Sequence, residues 1–140
     1  MEYLGVPFAT LAGWMFGAFW YTGFSKPWLA AIEMDKDEVG HKKRPLNPMI
    51  ASVLAEFVLA MVLFYVLKRM SVVGFHWGAM VGFIIGAGLI LPTIFVNNIF
   101  PGRKTMLTVI DGGHWIGVTT IMGTVMGFVA GLDLTAMMQN

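Results

Sequence analysis

Four apolar stretches, each long enough or nearly so to cross a bilayer, constrain this chain more than any other feature. Residues 3–25 carry no charge and residues 49–67 carry only Glu56. Residues 72–100 again carry none, and residues 105–132 carry only Asp111. A helix needs about 20 predominantly apolar residues to cross a hydrocarbon core of about 30 Å. A chain of 140 residues that is 57% hydrophobic and 12% charged cannot hide so much apolar surface inside a water-soluble core. Mean hydropathy of +0.73 agrees. The expected fold is an all-α integral membrane protein of one domain, a bundle of four transmembrane helices over about 3–25, 48–68, 72–100 and 105–132.

Two of these stretches need comment. The third is overlong, which predicts tilt, an interfacial start near His76 and Trp77, or a bend at Pro92. The first has Glu2 in front of it rather than Lys or Arg, and no small-x-small cleavage site. It reads as a retained helix, not a signal peptide.

Charge sets the expected orientation. Four crossings put residues 26–47 and 101–104 on one side, with both termini and the 68–71 turn on the other. The first side holds Lys26, Lys36, Lys42, Lys43, Arg44, Arg103 and Lys104, seven of the nine basic residues. The positive-inside rule then places the 26–47 loop in the cytoplasm and both termini outside. Within that loop, Pro27 suits a first helical turn and Gly40 a helix stop. Trp28, Leu29 and Ile32 share a face, so a short cytoplasmic interfacial helix is expected at about 27–39. The HKKR that follows reads as an anchor for anionic headgroups, making membrane lipids the expected partner and nucleic acid an unexpected one.

Small residues recur at four-residue spacing. Gly5, Ala9, Gly13 and Gly17 form one row, and Gly74, Gly78, Gly82 and Gly86 another. The fourth stretch has Gly113 and Gly117 on one row and Gly123, Gly127 and Gly131 on a second. Such rows let helix backbones approach closely in lipid. They predict tight packing within the bundle, or a face joining copies in a homo-oligomer or larger membrane complex.

Polar residues gather at one level. At about 1.5 Å rise per residue, Asp111 lies roughly 9 Å, Glu56 roughly 12 Å and His114 roughly 14 Å in from the cytoplasmic side. Asn97, Asn98, Trp20 and Tyr21 reach the same half, and Arg103 can snorkel up to it. Asp111 and His114 are three apart and share a face. Intramembrane ionisable residues are functional candidates, for proton or cation handling or for catalysis. The alternative is structural, with Asp111 holding His114 or an indole N–H. Two carboxylates at this depth should not both be ionised without a cation. Glu56, Asp111 and His114 are also acceptable but thin metal ligands, since a second E-x-x-H is missing.

Much is excluded. With no Cys there is no disulfide, thiolate nucleophile or cysteine-ligated metal. The chain has no G-x-S-x-G, Walker loop, dinucleotide fingerprint or H-E-x-x-H, and no cofactor is implied.

The segments GWMFGAFWYTGFSKPW at 13–28 and FVNNIFPGRKTMLTVIDGGHW at 95–115 resemble the bacterial membrane family catalogued as domain of unknown function 1761. The most specific parts are Trp20 and Tyr21 with Lys26 and Trp28, the group of Asn98, Phe100 and Arg103, and Asp111 with His114. The resemblance implies about four spans and a bacterial inner-membrane location. It also implies a variable residue at 114, often tyrosine, which leaves Asp111 the stronger candidate. It brings no biochemical activity. Three functions therefore compete: an oligomeric transporter or channel for protons, cations or a small solute, an accessory subunit, and a lipid-acting enzyme.

Overall fold

The computed structural model describes residues 2–33 and 47–138. Lys36, His41, Lys42, Lys43 and Arg44, and the interfacial helix beyond Glu33, lie outside the described residues. Those described are helical with short turns and contain no strand. A single 3-10 turn at Glu2–Leu4 leads into α1, Gly5–Gly23. Phe24 ends α1, its N–H bonding back to the Trp20 carbonyl, and α2 follows as Ser25–Ile32. The helix expected over 27–39 thus begins earlier and stops at Ile32, because Glu33 turns into the left-handed region at φ 57°. Lys104 fastens this end to the 101–104 turn. Its ammonium donates to the Ala30 carbonyl at 2.9 Å and lies 3.1 Å from the Glu33 carboxylate.

α3 spans Pro48–Arg69. Asn47 caps it by accepting from the Met49 N–H, and Pro48 fills the first helical position, where no N–H is needed. At its far end Lys68 lies over the rings of Tyr3 and Phe64, and Arg69 over Tyr65. α4, Phe75–Ile85, starts after Gly74, whose φ of 94° suits glycine. A widened π turn at Gly86–Ile90 then leads into α5, Leu91–Ile99. Pro92, which has no N–H to give the preceding turn, sits at the start of α5. α6 is the longest helix, Thr105–Met138, and runs beyond the expected end at 132.

Among the described residues three helices are long and apolar enough to cross a membrane: Pro48–Arg69, Phe75–Ile99 and Thr105–Met138. The expected fourth, α1, is 19 residues long but does not reach their hydropathy. Trp14, Trp20, Tyr21, Thr10 and Thr22 and its glycines dilute an otherwise uncharged run.

α6 is the axis on which α1, α3, α4 and α5 pack. Its fully buried side chains include Ile110, Val118, Thr119 and Met122, joined by Leu63 from α3. The outside is apolar as well, with Phe8, Leu54, Val62, Phe83, Ile84, Leu89 and Val109 exposed. Water would not tolerate so many; lipid tails would. Hydroxyls in the bundle are satisfied locally, as where Thr119, Thr120 and Thr124 donate to carbonyls of the preceding turn.

The glycine rows are spent within the chain. A methyl group at Gly78 would overlap the Gly123 carbonyl, and one at Gly82 the Thr119 carbonyl. Gly74 donates its N–H to the Gly127 carbonyl at 2.8 Å, and Gly86 abuts Ile116 and Thr119. On the other side of α6, Gly113 and Gly117 receive the rings of Trp20 and Phe16 from α1. Close approach of backbones is what these rows provide.

Candidate functional site

Asp111 is answered by α1 and α2. The Tyr21 hydroxyl donates to its Oδ1 at 2.8 Å and the Trp28 indole N–H to the same oxygen at 3.2 Å. Trp20, one residue earlier on α1, donates instead to the Ile110 carbonyl at 3.0 Å. The helical direction is largely kept across Phe24, where the Trp28 backbone N–H bonds the Phe24 carbonyl at 3.0 Å, so Tyr21 and Trp28, seven residues apart, lie on one stripe and reach the same Asp111 oxygen.

Other polar residues expected at this level go elsewhere. Asn98 is buried, but its amide donates to the Thr108 hydroxyl at 3.1 Å and its carbonyl oxygen accepts from Arg103 at 3.5 Å. Asn97, one residue earlier on α5, is exposed. Arg103 makes no hydrogen bond to Asp111 and acts on it only through space. Glu56 does not bond to it either, because the α1 glycine seam takes the Glu56 carboxyl.

That seam is the second half of the site. Gly13 and Gly17 are one turn apart on α1. A Cβ at Gly13 would stand 3.0 Å from Glu56 Oε2, and one at Gly17 2.8 Å from His114 Nε2. The absence of side chains on this face leaves room for the two polar groups, one from α3 and one from α6. Both residues are buried, at 3% and 5% exposure. Glu56 Oε2 and His114 Nδ1 are buried polar atoms without a hydrogen-bond partner. Such atoms are rare and costly, and each asks for an explanation.

A cavity of about 650 Å³ opens beside them. Its walls are Trp14, Gly17, Ala18, Tyr21 and Thr22 of α1, Ser25 of α2, Met49, Ser52, Ala55 and Glu56 of α3, and His114 and Trp115 of α6. Asp111 does not line it. Trp14 closes one side by donating to the Ser52 hydroxyl at 3.2 Å. His114 is enclosed by rings, with Tyr21 at 4.8 Å, Trp115 at 5.0 Å and Phe16 stacked at 6.4 Å. Tyr21 connects the two halves, its hydroxyl fixed by Asp111 and its ring set against His114.

Among the described residues no group of three or more His, Asp or Glu side chains is arranged to hold a metal ion. Asp111 faces Tyr21 and Trp28, while Glu56 and His114 face the seam, so the three candidate ligands do not converge.

Sequence reasoning missed Trp28, Trp14, Ser52 and Trp115. A signal for the wall existed in α1 and the start of α2, where Trp14, Ala18, Tyr21 and Ser25 recur at helical spacing on one stripe, and Trp28 continues it.

No curated protein and no solved structure matches the chain significantly. The family model described as Protein of unknown function (DUF1761) matches residues 4–127, which takes in the whole of α1 through α5 and the site-bearing part of α6. The chain that sets Tyr21 and Trp28 on Asp111, and Glu56 beside His114, is therefore a member of the DUF1761 family.

Proposed function

We propose that this protein carries protons, alone or with a small solute or cation, across the membrane by way of the Glu56 and His114 cavity. The observation that carries the reading is a cavity of about 650 Å³ bordered by a buried carboxyl and a buried imidazole, each with an atom left unpartnered. A structural role predicts satisfied groups, since a buried polar atom without a partner costs about 1–3 kcal/mol. A transport site predicts groups kept free for something that comes and goes. Asp111, with its two donors, then serves as the positioning residue that sets the Tyr21 ring against His114. The accessory-subunit reading draws on small size, the lack of a motif and glycine faces, and of these the glycine faces of α1, α4 and α6 pack within the chain.

In this reading α1 is the fourth span, held in the bundle by its glycine seam although its hydropathy is lower. The basic residues beside α2 and in the 101–104 turn face the cytoplasm of a bacterial inner membrane, with both termini outside. The ion pair of Lys104 with Glu33 supports a common side for these two segments. Single cysteines at Met1 or Asn140 are expected to label from outside intact cells, and one at His41 only after lysis. Labelling of position 41 from outside would reverse the orientation.

Transport is tested in liposomes holding the purified protein and a pH-sensitive dye. An imposed pH gradient should collapse faster than in protein-free vesicles. Glu56→Gln should lose at least about tenfold of that rate while remaining folded and monodisperse. Equal rates for the variant and the unaltered protein would refute the assignment of Glu56.

A further inference from the structure

The cavity also carries information about what enters it. Its walls offer a carboxyl from Glu56 and the rings of Trp14, Tyr21, His114 and Trp115, and among the described residues no Lys or Arg lines it. Of the described basic residues, Lys104 is engaged with Glu33, Arg69 with Tyr65 and Arg103 with Asn98. A carboxyl among aromatic faces is a setting that selects positive charge, because ring faces attract a cation and a desolvated one gains most. Volume narrows the choice further. A water molecule occupies about 30 Å³ of liquid, so a bare proton or a single inorganic ion leaves most of 650 Å³ unfilled. Cavities of about 300–1,000 Å³ with mainly apolar walls and a few placed polar groups hold organic molecules.

We infer that the cavity binds an amphiphilic organic monocation, a substituted ammonium whose charge meets Glu56 and whose apolar body lies between Trp14 and Trp115. This deepens the transport reading and rests on its site. Glu56 supplies the charge match, and its buried carboxyl, 3% exposed with Oε2 unpartnered, is the group the cation satisfies. A neutral molecule of the same shape fills the volume but leaves that carboxyl unmatched, and a site built around a buried polar group rejects such analogues strongly. An organic anion is rejected more strongly still.

Two probes of nearly equal shape separate the cases: benzyltrimethylammonium and its neutral carbon isostere, neopentylbenzene. Binding is measured on the full chain in lipid nanodiscs by calorimetry and by tryptophan fluorescence, since Trp14 and Trp115 border the site. The cation should bind saturably, one per chain, and the isostere should give no saturable signal above that of empty nanodiscs. Glu56→Gln should weaken cation binding at least tenfold and Glu56→Asp much less. Equal binding of the two probes, or unaltered binding by a folded Glu56→Gln, overturns the inference. The comparison of probes needs no variant, so it stands even where a substitution fails to fold. Absence of cation binding together with Glu56-dependent proton flux removes this inference and leaves the transport reading intact. Absence of both removes both.

Discussion

Gly82→Leu is expected to yield no stable protein. At Gly82, α4 and α6 pass with the Thr119 carbonyl directly against the glycine, and a Cβ would also stand 2.8 Å from the Thr119 carbonyl carbon and 3.0 Å from Thr120 Cα. These neighbours are backbone, which cannot swing aside as a side-chain tip can. Even Gly82→Ala forces the helices apart, at a cost of about 1–3 kcal/mol by the usual measure of overpacking. Leucine adds three more carbons to the same gap. The hydrogen bond from Gly74 to the Gly127 carbonyl, one end of the same crossing, is then lost as well. Thermal unfolding in detergent checks the series. Gly88→Ala is the control, since nothing stands within 4 Å of its Cβ, and it should leave the transition unchanged. A Gly82→Leu protein with unaltered mass and unfolding temperature would mean that α4 and α6 do not meet here.

The second large effect is at Asp111, where two substitutions should part company. Both donors, Tyr21 and Trp28, converge on one oxygen, Oδ1. An asparagine placing its carbonyl oxygen there still accepts from both, and gives up only the extra strength of a charged acceptor. Leucine leaves the Tyr21 hydroxyl and the Trp28 N–H without an acceptor in a part-buried site, at about 1–3 kcal/mol for each orphaned group. Asp111→Leu should therefore lose about 2–6 kcal/mol and free α2 from the bundle, whereas Asp111→Asn should fold nearly as the parent does. Chemical unfolding measures the first difference, and the fluorescence of a Trp28-only variant reads the release of α2. Similar stability for the leucine variant would show that these two bonds do little.

Much of this fold was legible in uncharged runs, because lipid admits few other solutions. The ends of α3 follow from Pro48 and from Lys68 and Arg69, and the α4 glycine row follows from spacing alone. Azimuth was not legible. Depth put Glu56, Asp111 and His114 at nearly one level, yet only rotation about each helix axis decides which of them meet. Glu56 and His114 turn toward Gly13 and Gly17, and Asp111 turns toward Tyr21. The two glycine rows of α6 likewise serve different neighbours, α1 for Gly113 and Gly117 and α4 for Gly123 and Gly127. A one-dimensional pattern shows that a row is smooth but not what lies against it. Trp28 was set apart because the interfacial helix reads as separate from the first span. It lies seven residues beyond Tyr21, on the same stripe, with helical hydrogen bonds carried across Phe24.

The most direct test of the central claim is a high-resolution map of the protein in a lipid nanodisc, resolving the space between Trp14, Glu56 and Trp115. The account predicts an open cavity with non-protein density, water or solute, within hydrogen-bond distance of the Glu56 carboxyl. A cavity closed by side chains or filled by a lipid tail, with Glu56 bonded to a neighbouring carbonyl or to Ser52, would make the cluster structural and contradict the account.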